Sequence, residues 1–428
     1  NGGVTEYTYD QANNLTSERL PNSAVWAYNY DDTYRVIGIT DPYNNTTGYT
    51  LDAEGLVLRT MDANNNTQAF AYDALGRMTD FTDAAGNKTQ LEYDLEYDAV
   101  GNLIKETDPL GNTYEYTYDK LNQQIESILP SGVKRTFTYD PAGNMVSVTD
   151  PKQSTTNYQY SALNQLETVT DALGGVTRYG YAKTGELSSA TDPIGNTRRW
   201  EYNLNGQVTK EINPLGYATA FSYDIAGQLS KQILADGTSV DYTYTNLGQV
   251  KKITAGGEKT EYGYDIMGNL TAMKTPYSED FFGYDLLGRT IYEKNSQLEK
   301  ELWMEYDAVG NLTHIKNSED RTITYEYNNI NRVKSLTDPD ENTSNFYYDP
   351  LGREVKRDLA NENTILKEYD MDGNLKKIEN NSRMGTLSSF AYEYDANGNI
   401  ITQTEQNGAL TSYTYDALER LVEVNYPK

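Results

Sequence analysis

Short runs in which aromatic or apolar residues alternate with polar ones fill this chain, and every run ends at a turn signal. The stretch Phe137-Thr138-Tyr139-Asp140-Pro141-Ala142-Gly143-Asn144-Met145 shows the unit. Rings stand at Phe137 and Tyr139, a turn runs from Asp140 to Gly143, and a second alternating run leads to Thr149-Asp150-Pro151. Period-two alternation predicts β-strands, and a spacing of two puts both rings on one face. The unit is therefore a β-hairpin with an exit turn. No segment carries the periodicity of an amphipathic helix.

The unit recurs along the whole sequence. The residue before the first turn is Tyr9, Tyr30, Leu51, Tyr72, Tyr97, Tyr118, Tyr139, Tyr160, Tyr181, Tyr202, Tyr223, Tyr244, Tyr264, Tyr284, Tyr306, Tyr327, Tyr348, Tyr369, Tyr394 and Tyr415. Nearly every step is 21 residues, with excursions to 20, 22 and 25. That makes twenty copies, in which only Leu51 breaks the tyrosine. A second aromatic stands two residues earlier, as at Tyr7, Phe70, Trp200 and Phe282, with Leu95, Met304 and Lys367 as exceptions. The expectation is two rows of rings on one face, each touching its cross-strand neighbours.

Four residues after the tyrosine stands Gly, as at Gly55, Gly76, Gly143 and Gly185, or Asn, as at Asn13, Asn122, Asn164 and Asn331. These types adopt positive φ at low cost. They predict a type I turn closed by a left-handed residue and followed by a bulge. Tyr34 and Glu419 occupy the same position, so those two turns are expected to be irregular. The Asp after the tyrosine, as at Asp10, Asp73, Asp140 and Asp416, can accept backbone N–H bonds inside the turn. Ser161, Asn203, Thr245 and Asn328 keep that ability and Ala182 lacks it, a substitution pattern that fits a cap and not a catalytic group. The second turn, as in Thr107-Asp108-Pro109 or Thr191-Asp192-Pro193, is preset by Pro and completed at Gly111-Asn112 or Gly195-Asn196. The rhythm breaks at 93–98, which looks like a four-residue duplication, and at 380–385, which reads as a lengthened hairpin tip.

Composition changes this picture in one respect. Only 37% of residues are hydrophobic, and that share includes 39 tyrosines, so Leu, Ile, Val and Phe are too sparse for one large core. A single repeat array over residues 1–428 is expected, with no separate toxin, propeller or plug domain. About forty strands at ~4.8 Å give a ribbon ~190 Å long and ~20 Å wide. Open sheets beyond about ten strands curl or split, and strand twist has a fixed hand. The fold class expected is therefore all-β: an antiparallel hairpin meander coiled into a spiral ribbon, its turns meeting the turns of the next coil.

Charge and the missing residue types exclude several function classes. Thirty-six basic against 63 acidic residues give a net charge of −27, which argues against nucleic acid or an anionic membrane surface as partner. Cysteine is absent, excluding disulfides, thiolate metal sites and cysteine nucleophiles. No apolar run approaches the roughly 18–20 residues of a membrane helix. Asn1-Gly2-Gly3 resembles a turn leading into a strand, and not a secretory leader, so the sequence reads as a portion of something longer.

The pattern Tyr-x-Tyr-Asp-x-x-Gly-Asn/Arg-Leu, followed by Thr-Asp-Pro-x-Gly-Asn, resembles the YD repeat of the Rhs family. That family includes bacterial polymorphic toxins, wall-associated proteins, insecticidal toxin-complex subunits and teneurins. The resemblance covers the whole chain and implies a β-ribbon wound into a hollow shell, which in the toxin members encloses a C-terminal toxin domain. It also implies a secreted or cell-surface bacterial protein whose partners are the remaining parts of its own polypeptide or an enclosed toxin. The chain departs from the toxins after Tyr415, where no Asp-Pro-x-Gly-Leu core segment or self-cleaving aspartyl site is present.

Candidate chemistry is thin. His314 lies in a strand without a Gly-x-Ser-x-Gly nucleophile context. The acidic residues recur evenly in turns, so no unique carboxylate pair for glycoside chemistry stands out. The oxygen-rich turns lack the ligand spacing of an EF-hand or a calcium β-roll. Trp303 is one position out of phase with the aromatic rows and is expected on the opposite face, where a sugar or protein contact is conceivable. No catalytic, metal or cofactor residue is assigned, and the protein is not expected to be an enzyme. The expected function is a structural β-shell segment that encloses or scaffolds a cargo polypeptide; the alternative is an extracellular adhesion or carbohydrate-binding scaffold.

Overall fold

The computed structural model describes residues 3–93 and 101–427. Its forty strands, from Glu6–Tyr9 to Leu421–Asn425, form one antiparallel sheet in which each strand pairs with its neighbours in sequence. No helix occurs among the described residues. The hairpin Leu375–Ser382 with Gly385–Tyr394 is longer than the rest, as the sequence spacing predicts. The duplication lies mostly at 94–100, outside the described residues, together with Leu95 and Tyr97. The strand Lys88–Tyr93 ends on Tyr93, which pairs with Leu103. Tyr93, 21 residues after Tyr72, pairs with Leu103 as Tyr139 pairs with Met145.

Most of the described turns at both edges share one geometry, with exceptions at Ala255–Glu258, Thr275–Ser278, Asn295–Lys300 and Ser382–Gly385. After Tyr139, the Asp140 N–H donates to the Asn144 carbonyl at 2.9 Å and the Gly143 N–H donates back to Asp140 at 3.0 Å, with Gly143 at φ 90°. At the second turn Asp192 and Gly195 repeat the two bonds, with Gly195 at φ 91°. Tyr34 (φ 63°) and Glu419 (φ 62°) correct the expectation of irregular turns. Tyr34 N–H still reaches Asp31 at 3.0 Å, and Asp31 N–H reaches Arg35 at 2.9 Å. A left-handed non-glycine residue costs roughly 1–2 kcal/mol, and two closing hydrogen bonds of about 0.5–1.5 kcal/mol each offset it. Ala182 shows the same: without a capping side chain, its backbone bonds to Gly185 and Glu186 remain.

The two edges of the ribbon differ. Each tyrosine-edge hairpin carries a bulge just past the turn: Thr138 pairs with Ser147 but Tyr139 pairs with Met145, leaving Val146 as the extra residue. Hairpins at the other edge run without one, as in Ser189↔Arg199 to Thr191↔Thr197, except the lengthened hairpin, whose register shifts at Asn380. The bulge makes Met145 and Val148, three apart, share the face of Tyr139 and Phe137. Most aromatics occupy alternate strands, Phe81 and Tyr292 being exceptions, so a ring often faces a non-aromatic partner across the strand. Ring meets ring at Phe70–Phe81, with centroids 5.5 Å apart, which corrects the expectation of continuous rows of touching rings.

The wall is one sheet thick. Ala24 is the buried apolar residue among those described, and no large side chain is fully buried. On the aromatic face side chains are half-buried, whereas the residue between the two rings, such as Thr138, Glu201 or Glu326, is exposed. That second face carries cross-strand ion pairs such as Lys134–Glu126 at 3.3 Å.

Candidate functional site: the seam between coils

What this wall can do depends on how successive coils of the ribbon meet. Hydrogen bonds between residues 243 positions apart recur at regular intervals: Asn64 to Asp307, Lys152 to Asp395, and the Leu286 N–H to the Tyr43 hydroxyl. Every partner is a turn. Second-type turns of the first coil, from Asn22 through Tyr43, Asn64, Ala84 and Ser131 to Lys152, meet tyrosine-edge turns of the second coil from Leu286 to Asp395. Turns therefore stack on turns, as the ribbon argument anticipates.

The separation sets the size of the coil. A circuit of 243 residues is ~23 strands, or a circumference of ~110 Å and a diameter of ~35 Å at roughly 4.8 Å per strand. Allowing ~5 Å of side chain on the inner face, half the usual spacing of stacked sheets, leaves a bore of ~25 Å. Strand-to-strand contacts among the described residues join only sequence neighbours, so no strand crosses the bore.

Polar contacts run the length of the seam, from Asn22–Leu286 through Asn64–Asp307 and Asn329–Ala84 to Lys152–Asp395. Ser131 N–H and hydroxyl both donate to Asp372. The Arg289 guanidinium lies 4.7 Å from the Tyr306 ring and 5.8 Å from the Tyr43 ring across the seam. Farther along, the Lys152 ammonium sits 3.0 Å from Asp395 and 3.7 Å from Glu419. There the Asn397 amide donates to both Asp150 and Glu419. Burial pushes the Asp395 carboxyl up, but Lys152 and the turn N–H groups of Asn399 and Asn397 outweigh it and hold the group below the usual range. Hydrogen bonding to Asp395 raises the Lys152 ammonium in turn, against its own desolvation. Between these contacts lie open clefts, one of about 580 Å³ flanked by Phe81, Pro109, Ile330 and Leu351.

Two devices hold the edges rigid enough for turns to meet turns, and neither was anticipated from the sequence. The residue after the turn glycine grips its own Asp: Asn144 donates to Asp140 Oδ2 at 2.9 Å, and the Arg353 Nε to Asp349 Oδ2 at 2.7 Å. It also reaches the following turn, as Asn144 does to Asn164, Gln207 to the Gly227 carbonyl and Arg35 to the Asp52 carbonyl. The recurrence of Asn, Arg and Gln at this position was the available signal. The second device is the tyrosine hydroxyl. Tyr202 donates to the Leu187 carbonyl at 2.6 Å, Tyr223 to Val208 at 2.8 Å, and Tyr348 to Val333 at 2.7 Å. The backbone ladder between hairpins stops short of this edge, ending at Ser189↔Arg199, and the hydroxyl bridges the remaining gap. Tyrosine supplies this bond where phenylalanine, or the Leu51 of one repeat, cannot.

The capping role of the turn Asp is visible directly. Asp140 Oδ1 accepts the Ala142 and Asn144 N–H groups, both at 2.9 Å, while Oδ2 accepts the Asn144 amide. These donors lower its pKa, the Asn144 side chain most. His314 lies on the ion-pair face, 3.1 Å from the Thr313 hydroxyl and 3.4 Å from Glu305. Trp303 is on that face too, as its phase predicts, but tilts against Tyr292 with ring centroids 5.7 Å apart. Tyr292 in turn lies beside Gly283, where an added Cβ would come within 3.2 Å of it. Trp303 and Tyr292 thus pack against each other beside the glycine gap.

The sequence matches two family descriptions, Teneurin YD-shell over residues 87–223 and RHS Repeat over 9–46, 52–88, 306–343 and 394–428. No curated protein sequence matches it. Among solved structures the chain resembles TcdB2-TccC3-Cdc42, with TM-score 0.68 and 15% identity over 100% of this chain and 29% of that one. TcdB2-TccC3 gives 0.58 and 14% over 98% and 31%, and the Tc holotoxin pore of Photorhabdus luminescens 0.51 and 13% over 99% and 30%. At such identities the likeness establishes the fold alone. The chain spans less than a third of the length of these structures.

Proposed function

Because the chain belongs to the YD- and Rhs-repeat family of β-shell proteins, we propose that it is a wall segment that encloses a polypeptide cargo. The observation that carries this reading is the turn-to-turn contact, 243 residues apart, between coils of a one-sheet wall whose described strands contact only their sequence neighbours. A bore of ~25 Å accommodates two or more α-helices, each ~10–12 Å wide with its side chains. The work is mechanical and needs no reactive group of the wall's own. The neighbours named for TcdB2 and TccC3 support a toxin as the class of cargo, delivered from a secreted or surface-anchored bacterial protein. A scaffold that binds sugar through Trp303 has no comparable support, since that ring is engaged by Tyr292.

Protease protection tests the proposal. In the full-length polypeptide, a cargo segment joined to this wall survives trypsin under native conditions and is cut once the seam is opened by Lys152→Glu together with Asp372→Lys. Cleavage of that segment at equal rates in both proteins would sink the enclosure reading.

A further inference from the structure

Three Asn-Gly pairs lie among the described residues, at Asn205, Asn397 and Asn407. Each asparagine holds the third place of its turn, and the glycine after it closes the turn. The Gly206 N–H donates to the Asn203 carbonyl at 3.1 Å, Gly398 to Asp395 at 3.0 Å and Gly408 to Glu405 at 2.9 Å, all three glycines at positive φ. The backbone treats the three alike, but the side chains differ. Asn205 and Asn407 are exposed, and Asn407 turns its oxygen to the Ala409 N–H of its own turn. Asn397 is half-buried in the seam, where its amide donates to Asp150 of the first coil at 2.6 Å and to Glu419 of the following turn at 2.5 Å. Both of its donors are engaged, and its Oδ1 is buried without a hydrogen-bond partner.

Asp150 and Glu419 accept from Asn397, so this position needs a donor. The same turn position one repeat earlier shows the converse. There Asp372 receives the Ser131 N–H and hydroxyl across the same seam. A carboxylate therefore fits this place where the opposing coil donates, and an amide fits it where the opposing coil accepts. Lys152, the cation in contact with the cluster, already serves Asp395 at 3.0 Å and Glu419 at 3.7 Å. A carboxylate at 397 would add a fourth acid to Asp150, Asp395 and Glu419, at distances where like charges repel.

An Asn-Gly pair carries the chemistry for that change. The Gly398 nitrogen loses its proton and attacks Asn397 Cγ. The N–Cγ bond forms, the Cγ–Nδ2 bond breaks and ammonia leaves. Water then opens the neutral succinimide at either carbonyl, leaving aspartate or isoaspartate. We propose that Asn397 is a deamidation site governed by the seam: it cyclises when the coils part, and the carboxylate so formed keeps them from closing again. Cyclisation at Asn205 requires release of the glycine N–H from its turn. At Asn397 it also requires release of the amide from Asp150 and Glu419, and so waits on local opening. The latch is one-way, because neither product regains the amide. It rests on the seam alone and holds whether or not the shell encloses a cargo.

Peptide mapping by mass spectrometry, after incubation at mildly alkaline pH, compares the sites. In the folded chain position 397 is expected to convert at least about tenfold more slowly than 205, because its turn must first open. In strong denaturant the two should convert alike, and a gap that persists there belongs to local sequence and overturns the proposal. Asn397→Asp and Asn205→Asp test the consequence. Hydrogen exchange at the 150–154 and 395–399 turns should rise in the first variant and stay unchanged in the second, with mid-strand amides steady in both. Equal native rates at 397 and 205 would overturn the proposal, and so would unchanged seam exchange in Asn397→Asp. If that variant fails to fold, the fraction of the unsubstituted chain converted at 397, separated by anion exchange, gives the same readout.

Discussion

The two edges of this ribbon use the same turn and solve different problems with it. At the edge of Asp192 the backbone ladder runs unbroken into the turn, and paired hydroxyls such as Thr191–Thr197 at 2.9 Å close it. At the edge of Tyr202 the bulge interrupts the ladder, and a phenol hydroxyl replaces the missing bonds. The first edge is held by its ladder, the Asp192 cap and paired hydroxyls, while the second adds a phenol hydroxyl that only tyrosine supplies. That is why tyrosine recurs on one side of the ribbon only. A regular repeat need not be symmetric: one kinked edge and one straight edge give the strip a consistent bend.

Extremes of pH separate the edges most strongly. Capped carboxylates on both sides, including Asp140 and Asp192, have lowered pKa values caused first by the Asn side-chain bond. A depressed folded-state pKa contributes stability above the unfolded value near 3.9 and loses it as pH falls through the folded one. Acid below about pH 4 is therefore expected to melt both edges together. Burial raises the phenols of Tyr202, Tyr244 and Tyr327. Their contribution is complete below about pH 10 and is lost as pH rises through the folded value, on the tyrosine edge alone. Circular dichroism across both limbs, with edge-resolved NMR, checks this; symmetric alkaline loss would contradict it.

Gly143→Val is expected to cost about 1–3 kcal/mol, since a β-branched residue is forced to positive φ. The added Cβ also comes within 3.2 Å of the Gln123 amide. Ser147→Val, in mid-strand on the exposed face, should cost far less. Denaturant titration of both variants decides, and comparable midpoints would break the turn assignment. A smaller effect is expected from Tyr202→Phe, about 0.5–1.5 kcal/mol for the lost hydroxyl bond. Leu51→Tyr should shift stability the opposite way by restoring one. If both leave local hydrogen exchange unchanged, the hydroxyls do not bridge hairpins. Smallest of all, Lys152→Met should cost no more than about 1 kcal/mol, given a partly exposed pair. It should increase exchange only at the seam turns around Asp150 and Asp395 and leave mid-strand amides as they were.

Much of the molecule was legible because its information is local. Gly143, Asp140 and Pro151 specify their turns within four residues, and the hairpin lengthened near Asn380 announced itself in the spacing. The failures share a cause as well. Tyr34 and Glu419 were expected to spoil their turns on intrinsic preference, but the flanking strands impose the left-handed bend whatever the side chain. The i, i+3 apolar pairs Met145/Val148 and Leu166/Val169 did signal a bulge, as an odd spacing inside a short strand.

The amino-acid sequence by itself determined the strand, the bend and the beat of 21 residues, since each depends on φ preferences and side-chain alternation over a few positions. Tertiary structure alone decided the circuit of 243 residues, the choice of Lys152 to meet Asp395, and the use of each tyrosine hydroxyl on the hairpin before it. Those depend on the small rotation added at every strand, summed over some two dozen strands. No single repeat encodes that sum, and a slight change in each would bring different turns together.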